Sequence, residues 1–200
     1  MKALRTTLLL FGLPALLVWL VPTTHAALLY ERAAILNGKW WRLWTGHWVH
    51  FSTSHLMWNL AVLLGAGVWL ERLQPGWLLR LALVVAPVLS LALLAGEPAM
   101  QTYGGLSGLA TSAVVLLALV QLQWRGTDRV WWWAILLLVA TKTGADAVRG
   151  DSLFVGFGTH AIRSSVLAHA AGAVAAVALF LARATRSQPE PALPSANPTP

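Results

Sequence analysis

Residues 104–123 read Gly-Gly-Leu-Ser-Gly-Leu-Ala-Thr-Ser-Ala-Val-Val-Leu-Leu-Ala-Leu-Val-Gln-Leu-Gln, twenty positions without one charged side chain. A bilayer core about 30 Å thick takes about 20 apolar residues of helix, so the run predicts a membrane-crossing helix. Five further stretches meet the same ruler: 7–22, 55–70, 77–95, 130–148 and 161–183. The second and fourth of the six are expected to begin below the membrane surface. Short breaks at 71–76, 96–98 and 125–128 separate them, and the one long connection is 23–54. The expected fold is an all-α membrane protein: a six-helix bundle over residues 1–186, with a disordered Pro/Ala/Ser-rich tail at 187–200 that cannot bury a core.

Composition excludes the alternatives to a membrane protein. The 200 residues are 58% hydrophobic and 10% charged, with a mean hydropathy of +0.66. Soluble domains carry roughly 25% charged residues, so this chain lacks the polar surface to live in water. The absence of cysteine excludes a disulfide scaffold. A net charge of +7 would suit nucleic acid only as a basic stripe. Here the Lys and Arg are scattered between apolar blocks, so no nucleic-acid partner is expected and the partner they address is the lipid bilayer. With the N-terminus inside, eight of them fall inside (Lys2, Arg5, Arg72, Arg80, Arg125, Arg129, Arg183, Arg186) and five outside (Arg32, Lys39, Arg42, Arg149, Arg163). Both termini are therefore expected to be cytoplasmic, in a multi-pass protein of a bacterial inner membrane. Lys2 and Arg5 before an apolar run ending Thr24-His25-Ala26 also fit a signal peptide. Retention is favoured because the remainder then forms an even-numbered bundle. Tryptophans at 40, 41, 44 and 48 favour headgroup depth, so the first loop is expected to be embedded in the outer interface.

Polar side chains at hydrocarbon depth carry the chemistry, because each needs a partner or a function. Ser107 stands among Gly104, Gly105 and Gly108 at the start of the fourth run. Unpaired N–H groups and the positive helix end there suit an oxyanion, and a small-residue packing seam is the plainer alternative. His169 lies about 10 Å down the sixth run by the helical rise of about 1.5 Å per residue. Runs four and six enter from the same side, so His169 can serve as the base that a nucleophilic serine needs. His55 and Asn59 are four apart on one helix face and can donate toward a common point. His47, His50 and His55 could instead bind a metal, although no His-Glu-x-x-His is present. Lys142 and Asp146, also four apart, read as a mutually neutralising intramembrane pair.

Together these residues resemble a rhomboid intramembrane serine protease. Trp41-Arg42, His50, His55 and Asn59 stand at the spacing of that family's first-loop and second-helix pattern, continued by Gly67 and Glu71. Gly105-Leu106-Ser107-Gly108 matches its nucleophile motif, and Ala168-His169-x-x-Gly172 its sixth-helix histidine motif. The resemblance covers about residues 1–185. It implies a catalytic dyad of Ser107 and His169 and an oxyanion hole of His55, Asn59 and the Ser107 N–H. It also implies structural support from Trp41, Arg42, His50, Gly105, Gly108, Gly172, Lys142 and Asp146, with no metal and no cofactor. Substrates would be membrane-anchored proteins cut near the outer face, in a water-filled cavity.

Thr111 departs from the pattern, since many members carry an aromatic there beneath the histidine ring, and Ala176 stands where a second glycine is frequent. The Tyr-x-Gly-Leu-Ser-Gly form, the short N-terminus and Lys142-x-x-x-Asp146 are similar to the rhombosortase subgroup. Its clients carry a C-terminal Gly-Gly sorting tail. A non-proteolytic rhomboid-like client-binding protein is the competing reading, disfavoured because both Ser107 and His169 are present. A transporter or channel is disfavoured by the lack of inverted repeats or a ring of like charge.

Overall fold

The computed structural model describes residues 1–124, 128–149 and 165–186. Helices dominate: α1 over Lys2–Leu20, α2 over Thr53–Leu73, α3 over Trp77–Gly96, α4 over Ser107–Leu122, α5 over Arg129–Arg149 and α6 over Val166–Arg186. Among the described residues, α1, α2, α3 and the 166–183 part of α6 are long and apolar enough to cross a membrane. At 16 residues α4 is shorter, and α5 carries Lys142 and Asp146. Arg125, Arg163 and the tail expected at 187–200 lie outside the described residues.

The burial pattern explains why α4 can be short. Twelve of its sixteen residues are buried, and it packs against α2, α3, α5 and α6, most extensively against α6. A helix walled by other helices has no need to span lipid on its own. Around it, α2 buries one face through His55, Leu56, Asn59, Leu60, Leu63, Gly67, Leu70 and Glu71, a spacing of three and four that places them along one stripe. A β-carbon on Gly67 would come 3.3 Å from both Thr7 of α1 and Leu78 of α3, so glycine there lets three helices converge.

Local chemistry sets the ends. The Ser52 hydroxyl accepts the His55 N–H at 3.1 Å and starts α2 two residues earlier than the apolar run implies. At the other end α2 runs on to Leu73, into the expected break, because Glu71 is not a solvated breaker. Its carboxylate turns into the loop and accepts the N–H groups of Gly76 at 2.8 Å and Leu78 at 3.1 Å. Ser165 caps α6 by accepting the Ala168 N–H at 3.1 Å and donates to Glu97 Oε1 at 2.9 Å, tying α6 to the end of α3.

The long first connection is ordered. It contains short helical turns at His25–Leu28, Arg32–Leu36 and Arg42–Thr45. It also holds a two-residue strand β1, Tyr30–Glu31, antiparallel to β2, Thr102–Tyr103, just ahead of α4. Sequence periodicity gives no sign of so small a ladder. Two prolines dock the loop to the bundle. Pro14 and Pro87 lack an N–H and leave the carbonyls four residues back, Leu10 and Leu83, without their helical donors. The turns there widen to π geometry at Leu8–Gly12 and Leu81–Val85. The freed Leu10 oxygen accepts the Trp48 indole N–H at 3.1 Å, and the Leu83 oxygen accepts that of Trp44 at 3.3 Å.

Candidate active site

Gly105 has φ +122, a backbone conformation that L side chains avoid, and it swings the chain so that Ser107 becomes the first residue of α4. The N–H groups of that first turn point away from the helix body with no intrahelical acceptor. A β-carbon on Gly105 would lie 2.5 Å from Cε1 and Nε2 of His55 and 3.3 Å from Nδ2 of Asn59. Both polar tips from α2 therefore reach the same stretch of backbone, two residues before Ser107.

On the other flank α4 meets α6 backbone to backbone. A β-carbon on Gly108 would come 2.9 Å from the Ala168 carbonyl oxygen, and one on Gly172 would collide with the Gly108 carbonyl. The Ser112 hydroxyl spans the seam, 2.8 Å from Gly172 O and 3.0 Å from Gly108 O. Contacts that advance four residues on both helices in the same order make α4 and α6 parallel. Ser107 precedes Gly108 and His169 follows Ala168, so the two enter the site from facing helices at one level. His169 is buried and lies within electrostatic range of His55. Behind it, on α5, Lys142 pairs with Asp146, and Asp146 Oδ2 stands 3.8 Å from His169 Nδ1.

His47 and His50 each face a backbone carbonyl. His47 Nε2 lies 2.8 Å from Ala86 O and 3.1 Å from Ser90 Oγ. His50 Nδ1 lies 2.9 Å from Trp48 O, its ring edge-on to His55 at 4.9 Å. Burial pulls His47 down to about 4. Burial, reinforced by the neighbouring His55, pulls His50 down to about 3. Both rings are therefore neutral near pH 7, and a ring nitrogen facing a carbonyl must carry the proton, which settles each tautomer. Among the described residues no three His, Asp or Glu side chains converge as metal ligands.

The Rhomboid domain family model matches residues 37–186. The chain belongs to the rhomboid family. No curated protein matches it. Rhomboids are intramembrane proteases, in general serine proteases, so the chain is an integral membrane protein of a family that acts on membrane-protein substrates within the bilayer.

In this rhomboid Trp41 and Arg42 work at a distance from Ser107. Arg42 is buried; its Nη1 donates to Leu29 O at 2.7 Å and pairs with Glu31 at 3.1 Å, and its Nη2 donates to Ala26 O at 2.6 Å. Trp41 Nε1 donates to Ala27 O at 3.1 Å. Together they clamp 26–31, and so the β1 strand to which Tyr103 is paired. Thr111, where many rhomboids carry an aromatic, bonds back to the Ser107 carbonyl at 2.9 Å, and Ala176 is fully buried.

Sequence reasoning assigned no role to Tyr103 or Ser112. Tyr103 donates to Gly105 O at 3.2 Å, and its phenol lies beside the Ser107 side chain and the Gly108 backbone. Burial pushes its phenol up to about 12, so it stays protonated. The signal for both was modest: a phenol four residues before the serine, and a second hydroxyl, next to Thr111, five residues after it in a mostly apolar run.

Proposed function

We propose that this protein is an intramembrane serine endopeptidase in which Ser107 is the nucleophile and His169 the general base. The observation that carries the reading is the backbone contact of Gly108 with Ala168, which brings the start of α4 and the histidine-bearing turn of α6 together. In the proposed reaction Ser107 Oγ attacks the scissile carbonyl carbon as its proton passes to His169 Nε2. The resulting oxyanion is held by the Ser107 N–H, His55 and Asn59, donors fixed before the charge develops. The C–N bond then breaks as His169 returns the proton to the leaving amine. Water attacks the acyl-enzyme by the same route, giving the carboxylic acid and restoring the Ser107 hydroxyl.

Residues 1–186 are proposed to act as one protease domain of six membrane helices with both termini cytoplasmic, in a bacterial inner membrane. The cavity would open outward, with the Trp-rich loop along the outer interface. The exposed rings of Trp40 and Trp41 support that placement. A client helix can be cut only where it unwinds, and glycine lowers that cost by about 1 kcal/mol relative to alanine. Exported proteins anchored by a C-terminal Gly-Gly tail are the proposed clients. Supporting them are the Tyr103-x-Gly-Leu-Ser-Gly form and the Lys142–Asp146 pair.

Two measurements test the reading. Fluorophosphonate labelling in membranes is expected to depend on Ser107, and Ser107→Ala and His169→Ala each to abolish cleavage of a membrane-anchored reporter. Turnover surviving in Ser107→Ala overturns the mechanism. With two reporters, one bearing a Gly-Gly tail and one a generic rhomboid-substrate helix, release of the generic one alone removes the sorting-tail role.

A further inference from the structure

Asp146 is wholly buried, and one of its oxygens, Oδ2, faces both Lys142 Nζ and, at 3.8 Å, His169 Nδ1. His169 Nδ1 is itself buried and makes no hydrogen bond among the described residues. In a serine–histidine pair the ring nitrogen toward the serine must be bare, so the other nitrogen carries the hydrogen. A buried N–H of that kind calls for an acceptor. The carboxylate held by Lys142 stands 3.8 Å away.

We propose that Asp146 is a positioning residue for this reaction, making Ser107, His169 and Asp146 a three-member relay in place of a bare dyad. The inference rests on the proposed dyad and deepens it. Its carboxylate orients the His169 ring and holds the hydrogen on Nδ1, leaving Nε2 free to take the Ser107 proton. Lys142 supplies the charge partner that a buried carboxylate needs in apolar surroundings. The separation is about 1 Å longer than a charged hydrogen bond of roughly 2.7–2.9 Å. Bonds of this kind are often long before substrate binds and tighten in the complex. Once Nε2 has taken the serine proton the ring is cationic, and attraction to Asp146 strengthens at the moment it is needed. The carboxylate takes no proton; the one received at Nε2 passes to the leaving amine.

A purely structural Asp146, present only to neutralise Lys142, predicts a different mutant series. The test measures kcat and KM for the purified full-length protein in proteoliposomes, with thermal unfolding alongside, for Asp146→Asn, Asp146→Glu and Lys142→Met/Asp146→Asn. Loss of the aspartate behind a catalytic histidine costs up to about 10⁴ in kcat in tightly bonded triads, and at this longer separation roughly 10–100-fold is expected. The double variant, with no stranded lysine, is expected to unfold like the wild type yet stay as slow as Asp146→Asn. KM is expected to change little, and Asp146→Glu to recover part of the rate. Wild-type kcat in the double variant overturns the proposal, as does a loss that appears in KM or runs parallel to lost thermal stability. If Asp146→Asn is fully active while Ser107→Ala and His169→Ala are dead, the relay falls and the dyad stands. If Ser107→Ala still turns over, the dyad itself is what fails.

Discussion

Replacing one glycine by alanine at two helical positions is expected to have opposite outcomes, because the backbone contacts differ. At Gly108 the new methyl would sit 2.9 Å from the Ala168 carbonyl oxygen and 2.9 Å from Leu89 Cδ1, whereas at Gly65, in the middle of α2, it meets nothing within 4 Å. The leucine methyl is the end of a flexible side chain and can rotate away; the carbonyl belongs to α6 and can yield only if that helix retreats. Ordinary contact begins at 3.4 Å, so α4 and α6 must part by about 0.5 Å next to Ser107 and His169. Overpacking of this kind costs about 1–3 kcal/mol. Since a 1 Å misplacement can cost roughly 10²-fold in rate, half of that is expected to cost about 10-fold. At Gly65 only the helix-propensity gain remains, up to about 1 kcal/mol of added stability. Thermal unfolding in detergent reads the stability, and the rate of fluorophosphonate labelling at Ser107 reads the geometry. If Gly108→Ala labels and melts like the wild type, the backbone seam is not what aligns the site. If Gly65→Ala destabilises as much as Gly108→Ala, the reasoning from free space is wrong.

Three further outcomes are expected. Trp48→Phe leaves the proline-freed Leu10 oxygen without its donor and is expected to cost about 1–3 kcal/mol. In a Pro14→Ala background, where the helix can supply its own N–H, thermal melts of the four proteins should show most of that cost gone, and equal costs in both backgrounds would refute the pairing. Glu71→Ala removes the acceptor of two N–H groups and is expected to cost about 3 kcal/mol, at roughly 1.5 kcal/mol per charged bond, without changing kcat once folded; a selective loss of kcat would show that the α2–α3 turn reaches the site. His47 and His50 sit at about 4 and 3, below the ordinary value near 6.5, so the unfolded chain binds their protons first. Stability is therefore whole above about pH 6.5 and falls as pH drops toward 4, by up to about 1.4 kcal/mol per unit per ring. Melts of wild type and His50→Gln across pH 7 to 4.5 check it: equal slopes would exclude His50 as a contributor.

Apolar run length, charge placement and residue type place the described helices to within about five residues and mark Ser107, His169, His55 and Asn59 as polar side chains that need a partner or a function. Each of these signals is local. Transfer into lipid depends on a run of side chains, and a helix face depends on spacing of three and four. Where the sequence reading stopped short, a second segment was involved. The break expected at Glu71 became a continued helix because its carboxylate found donors at Gly76 and Leu78. The β1–β2 ladder was invisible because two residues carry no period.

Other features exist only in the assembled molecule. Nothing in the neighbourhood of Trp44 or Trp48 says that their indoles answer carbonyls exposed by Pro87 and Pro14. Lys142 and Asp146 read alone as a self-neutralising pair, and only the crossing of α5 with α6 sets Asp146 behind His169. The sequence by itself determined that this is a helical membrane protein and which polar side chains need a reason to be there, because burial cost belongs to a residue type and its run. Tertiary structure decided which of those side chains meet, because hydrogen bonds and backbone contacts act over about 3 Å, a distance that only the packing of remote segments can set.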